Sequence, residues 1–165
     1  MKNIEERVID KIFEIINWTL AKIIKPDMTI NTVTDLDEKT INYIKEKFKI
    51  EGIILDVDDT IRKNMKNIPP CTSKWLDQIK KQLKVIVVSN GIDKNIQRYL
   101  KKKNIDYIGF ATKPLKINFK KACKKMNLSP EKVLVIGDSL FADVYGGKRN
   151  NMWSALVKTV EDEER

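Results

Sequence analysis

Apolar positions recur along this chain with two different periods. Over residues 3–24, Ile4, Val8, Ile12, Ile15, Ile16, Leu20 and Ile23 return every third or fourth position, and Phe13 and Trp18 widen the stripe. That spacing predicts a helix, which Pro26 must end. Basic Lys2, Arg7, Lys11, Lys22 and Lys25 suit a helix lying on a membrane surface, whereas Glu5, Glu6, Asp10 and Glu14 dilute that charge and favour packing on the domain. Residues 37–48 predict a second helix with Ile41, Ile44 and Phe48 on one face.

Short apolar runs then alternate with helical patterns. "GIILDV" (52–57), "VIVVS" (85–89), "DYIGF" (106–110), "KVLVIG" (132–137) and "WSALV" (153–157) predict five strands. Residues 72–83, 93–103, 115–126 and 139–149 predict the intervening helices, with Thr72 or Ser73 capping the first and Asp93 the second. The strands are continuously apolar, as in a parallel sheet covered on both faces. The expected fold is α/β: a three-layer Rossmann-like sandwich around a mostly parallel five-stranded sheet. A single domain is expected over 1–165, with 1–50 a helical extension packed on a 51–158 core.

Composition narrows the chemistry. The 165 residues include no histidine, which removes Ser-His-Asp and Cys-His nucleophile systems and His-ligated metals. Cys71 and Cys123 are far apart, which argues against a disulfide framework or zinc site and for a reducing, cytoplasmic setting. No stretch is apolar enough to span a bilayer, and a signal-peptide layout is absent. The net charge of +9 favours anionic partners, or is only a solvated Lys-rich surface.

In a parallel α/β sheet, ligands bind outside the carboxyl ends of the strands. The first predicted strand ends in Asp56-Val57-Asp58-Asp59-Thr60, costly to bury without countercharge. The second ends in Ser89-Asn90, Lys113-Pro114 follows the third, and Gly137-Asp138-Ser139 closes the fourth, with Asp143 five residues beyond Asp138. Oxygen ligands and one lysine thus converge on one rim, a donor set suited to Mg²⁺ and a substrate phosphate. The chemistry that fits is phosphoryl transfer: Asp56 as nucleophile, Asp58 as general acid and base, and Ser89 and Lys113 on the phosphoryl oxygens. Asp138, with Asp56 and the Asp58 carbonyl, would hold the cation.

DxDxT, a strand ending in Ser-Asn, Lys-Pro and GDxxxxD, in this order, resemble the haloacid dehalogenase superfamily of phosphatases. The resemblance is closer to the YqeG-like branch of subfamily IIIA, which includes the mitochondrial phosphatidylglycerophosphatases. It rests on "LAKIIKPDMTINTVTDLD", "VIVVSNG", "ATKPLKINFKKACKKMNLSPEKVLVIGD" and "DVYGGKRNNM", over roughly residues 20–158. It implies Asp56 as nucleophile, Asp58 as acid/base, Ser89 and Lys113 as phosphate ligands and Asp138 as metal ligand. Asn90 would shape the phosphate pocket, and Thr60 and Asp143 would support it. Asp59 stands where the branch commonly has Asn, and Ser139 where Gln is common.

Relatives acting on small metabolites usually carry a cap domain; here Thr60–Val85 holds only a flap and one helix, and Phe110–Lys113 leaves no room. An open rim suits a large substrate. The expected activity is Mg²⁺-dependent phosphomonoester hydrolysis through an aspartyl phosphate, with phosphatidylglycerophosphate the named substrate and an anionic membrane surface a partner. Alternatives are a protein or nucleotide phosphatase, or a weakly catalytic protein that binds RNA or a ribosomal partner through its basic surface. Intact motifs argue against the last.

Overall fold

The structure is a computed structural model that describes residues 4–158, apart from the side chains at positions 4–7, 10, 13, 17, 20 and 21. The sequence reading of Lys2, Ile4, Glu5, Glu6, Arg7, Asp10, Phe13 and Leu20 lies outside what is described.

Six parallel strands form the central sheet: β1 (Met28–Ile30), β2 (Gly52–Leu55), β3 (Lys84–Val88), β4 (Asp106–Ile108), β5 (Val133–Gly137) and β6 (Trp153–Val157). Their order across the sheet is β1-β6-β5-β2-β3-β4. The expected α/β sandwich is present, with one strand more than the sequence predicted and every neighbouring pair parallel. The extra strand, β1, is a "MTI" tripeptide with no periodicity to read. Side-chain bonds dock it: the Asp27 carboxylate accepts from Ser154 N at 2.9 Å and Ser154 Oγ at 3.0 Å, which sets Met28 opposite Ala155 in β6.

The helices are α1 (Ile4–Ile23), α2 (Glu38–Phe48), α3 (Pro70–Ile79), α4 (Lys94–Lys102), α5 (Lys116–Met126) and the single turn α6 (Gly146–Lys148). Ile53 and Leu55 of β2 face a core with Ile41 and Ile44 of α2, Leu76 and Ile79 of α3 and Ile96 and Leu100 of α4. Ile54 faces the opposite core, with Phe119, Ala122 and Met126 of α5. The alternation inside one apolar strand supplies both layers.

Several boundaries differ from expectation: the helix expected over 72–83 ends at Ile79, the strand expected over 106–110 ends at Ile108, and two further departures have a clear cause. Helix α3 starts at Pro70, where the missing N–H costs nothing, and so neither Thr72 nor Ser73 caps it. Thr72 is instead fully buried, and its hydroxyl has no hydrogen-bond partner. The segment after β5 is not one regular helix: Leu140–Tyr145 forms a π-helical turn before α6. Helix α1 packs against this turn. Among the described residues, no helix is long and apolar enough to cross a membrane.

Candidate active site

Strand order places the site. The central strand β2 lies between β5 and β3, so the residues following these strands meet at one rim. Asp56 leaves β2 still tied to the sheet, its N–H donating to the Ile136 carbonyl at 3.0 Å. The chain then turns tightly. Val57 O accepts from the N–H groups of Thr60, Ile61 and Arg62, and Asp59 adopts a left-handed conformation with φ of 56°. An Asp tolerates that region better than most residues, which fits a turn role for Asp59.

Asp56, Asp138 and Asp143 bring carboxylate oxygens within 4.8 Å of one another. Lys113 bridges two of them, its Nζ 2.6 Å from Asp56 Oδ1 and 2.6 Å from Asp143 Oδ1. Lys113 and Asp143 are both buried. Asn90 secures the lysine from behind: its Oδ1 accepts from Lys113 N at 2.7 Å, and its Nδ2 donates to Lys113 O at 3.4 Å. Thr60 Oγ1 donates to Asp56 Oδ2 at 3.3 Å. Ser89 is buried at the end of β3, where its Oγ accepts from Gly91 N at 3.2 Å. The π-helical turn carries Asp143 back toward the sheet, where its Oδ2 accepts from Ser139 N at 3.2 Å. That return needs Gly137, because a Cβ there would overlap the Asp143 carboxyl group.

Three gathered carboxylates with one ammonium, which bonds Asp56 and Asp143, leave the cluster short of positive charge. Burial pushes the Asp56 carboxyl up to about 6; the nearby Asp143 charge adds to the rise, and Lys113 opposes it. Asp138 is exposed as a residue, yet loss of water around its carboxylate, followed by repulsion from Asp143 and Asp56, pushes it up to about 7. For Lys113, burial pulls down, but Asp143 and Asp56 outweigh it and hold the ammonium protonated. A hard divalent cation would relieve the carboxylate repulsion, and an oxygen-only donor set suits Mg²⁺.

Asp58 lies outside this trio. Its Oδ1 accepts from Arg62 Nε at 2.7 Å, and Arg62 Nη1 reaches Asp93 Oδ2 at 2.7 Å. The other Asp93 oxygen caps α4, accepting from Asn95 N at 2.8 Å and Ile96 N at 3.2 Å. Sequence reasoning found the cap but missed Arg62. The only signal was its place four residues after Asp58, and Asp93 joins it from 31 residues away.

A parallel α/β sheet with an acidic loop after its central strand, a Ser-Asn after one neighbouring strand and paired carboxylates after the other is a layout suited to phosphoryl transfer. Comparison with known proteins gives the family. The model of the haloacid dehalogenase-like hydrolases matches residues 66–151. "Probable phosphatase YqeG" of Bacillus subtilis is 32% identical over 143 residues, which is 86% of this chain and 81% of that protein. The chain therefore belongs to the haloacid dehalogenase-like hydrolases and is a phosphatase of that family. A shorter match, 45% identical over 40 residues (24% of this chain, 17% of that protein), is to a glyceraldehyde 3-phosphate phosphatase of Pyrococcus furiosus. Among solved structures, a haloacid dehalogenase family enzyme of Bacteroides thetaiotaomicron in complex with magnesium and inorganic phosphate superposes with a TM-score of 0.56 at 11% identity, covering 68% of this chain and 96% of that one. An uncharacterized Listeria monocytogenes protein gives 0.55 at 17% identity, over 70% and 84% of the two chains.

Proposed function

We propose that this phosphatase is Mg²⁺-dependent, works through an aspartyl phosphate on Asp56 and acts on a lipid-borne phosphomonoester, phosphatidylglycerophosphate being the named candidate. The observation that carries the reading is the gathering of the Asp56, Asp138 and Asp143 carboxylates at the end of β2, with Lys113 bonded to Asp56 and Asp143. Asp56, Asp138 and the Asp58 carbonyl would hold Mg²⁺, with Asp143 beside them. Bound there, the cation would screen the nucleophile from the phosphate dianion.

Asp56 attacks phosphorus, and the bond to the leaving oxygen breaks. Asp58 gives that oxygen a proton, then takes one from the water that hydrolyses the acyl phosphate. Lys113 and the Ser89 hydroxyl bind the phosphoryl oxygens, where charge develops. Asn90 keeps Lys113 in place through the lysine's own backbone.

Two features support a substrate at a membrane. The rim has no inserted cap among the described residues. Helix α1, which packs against the turn carrying Asp143, leaves Val8, Ile12, Ile15, Trp18 and Ile23 at least half exposed. Lys22 lies over the Trp18 ring at 3.4 Å, and exposed Lys11 and Lys22 flank the stripe. Apolar side chains with Trp and Lys at their border suit an anionic interface.

The test is phosphate release from phosphatidylglycerophosphate in vesicles, set against nucleotide, sugar and phosphopeptide esters, with and without Mg²⁺. Asp56→Asn is expected to abolish turnover. Substantial activity surviving in that variant sinks the nucleophile assignment. Preference for a water-soluble ester removes the lipid assignment alone.

A further inference from the structure

Among the described residues, the large apolar side chains that stand at least half exposed fall into two groups, with Tyr43 of α2 apart from both. One is the stripe on α1. The other is Met65, Ile92, Phe110, Leu115 and Ile117. Met65 lies after β2, Ile92 after β3, and the other three after β4. These strands are neighbours in the sheet, so their loops share one side of the rim.

Hydrogen bonds join this group to the reaction centre. Gly91, beside Ile92, donates to Ser89 Oγ at 3.2 Å and accepts from Phe110 N at 3.2 Å. Ala111, beside Phe110, donates to Ser89 O at 3.0 Å. Leu115 and Ile117 come just after Lys113, which bonds Asp56. Met65 lines a small cavity together with Asp93 and Asn95, which follow Ile92 closely in sequence. We propose that the group is a docking face for an anionic phospholipid bilayer, which sets the catalytic rim against the headgroups. The inference deepens the lipid-borne reading above. The face is separate from α1, which packs on the turn after β5.

Two costs argue that this exposure serves a purpose. Phe110 is 68% and Met65 75% exposed, so neither gains much from a core. Both also hold a left-handed backbone, with φ of 53° and 58°, where bulky side chains are uncommon. Strain of this kind gathers at functional sites and ligand clamps.

Charge selects the occupant. Exposed Lys63, Lys94 and Lys116 stand within two positions of Met65, Ile92 and Leu115. A lysine stem can lie along apolar surface while its ammonium reaches a headgroup phosphate. Of the acidic groups nearby, Asp58 and Asp93 share Arg62, Asp138 belongs to the carboxylate cluster, and exposed Asp59 opposes the lysines. A second copy of this chain would set the lysines against their like, and protein interfaces are poor in lysine. Nucleic acid would meet four aliphatic side chains on which bases do not stack. Apolar loops that enter the headgroup boundary by about 5–10 Å would bring Asp56 to a lipid phosphate without lifting the lipid from the bilayer.

Two experiments test this. Asn tolerates the left-handed region and Gln suits a helix, so Phe110→Asn with Ile117→Gln strips the face without straining the fold. The double variant is expected to lower kcat/KM for phosphatidylglycerophosphate in vesicles about tenfold, and for 4-nitrophenyl phosphate less than about twofold. Equal loss on both substrates, or no loss on the lipid, overturns the docking face. Ile92→Trp reads the contact directly, without turnover. In vesicles of equal parts phosphatidylglycerol and phosphatidylcholine, its added emission is expected to be quenched by bromine on the acyl chains. No quenching beyond that of the wild-type protein overturns the proposal. Quenching in a protein that hydrolyses only water-soluble esters upholds the docking face and defeats the lipid-substrate reading instead.

Discussion

Lys113 Nζ sits 2.6 Å from Asp143 Oδ1, and neither residue is more than 7% exposed. A buried ion pair of this kind adds little net stability, yet breaking it from one side is costly because the surviving charge has no water to turn to. Lys113→Met is therefore expected to lower the unfolding free energy by about 3–5 kcal/mol in metal-free buffer, read by urea denaturation. The same variant should lose phosphate release altogether. Unchanged stability would show that Asp143 can pass its charge to another group.

Gly137 gives a second test of the same junction. A methyl group there meets the Asp143 carboxyl head-on, so Gly137→Ala must push the π-helical turn away from β5. The expected result is loss of turnover together with a moderate fall in melting temperature. An active, undisturbed Ala variant would mean that the turn has slack that its geometry does not suggest.

The pH dependence should run opposite to that of an ordinary salt-bridged carboxylate. Asp56 at about 6 and Asp138 at about 7 keep protons in the folded chain that free carboxyls release near 3.8. Between those limits the native state binds more protons than the unfolded state, so its stability falls as pH rises. The melting temperature in EDTA is expected to drop from about pH 4 to about pH 7 relative to Asp138→Asn, and Mg²⁺ binding to tighten over the same interval. Parallel pH curves for the two proteins would contradict this account of the cluster.

Helix α1 supplies a spectroscopic prediction. Trp18 is 64% exposed, so its emission in solution should be that of a wet indole. Vesicles rich in anionic lipid are expected to shift the tryptophan emission to the blue, and neutral vesicles to do so less. Ile12→Glu with Ile15→Glu should remove the shift. A response unaffected by that double change would place the lipid contact elsewhere, because Trp75 and Trp153 also emit.

The rim was readable from sequence because parallel strands point their carboxyl ends the same way, so four separate motifs had to meet. What escaped depends on contacts that no local pattern records. Strand β1 is three residues long and is held by Asp27 on Ser154, 127 positions away. Arg62 joins two loops whose carboxylates each had another expected role. Lys113 was legible as a basic group at the rim, but its ties to Asp56 and Asp143 appear only when β2 and β5 are neighbours. The turn around Asp143 departs from a regular helix because the carboxylate must reach back to Ser139 N.

Strand β1 also bears on how the chain can be shortened. As a three-residue edge strand it offers a brief row of unpaired backbone groups. Cutting between Ile23 and Asp27 would remove α1 and leave that blunt border in place, still docked by Asp27. Cutting past Ile30 would instead uncover the five residues of β6, an apolar run long enough to recruit strands from other molecules. The tripeptide thus works as a guard on the sheet, and its loss should be seen first as aggregation rather than as unfolding.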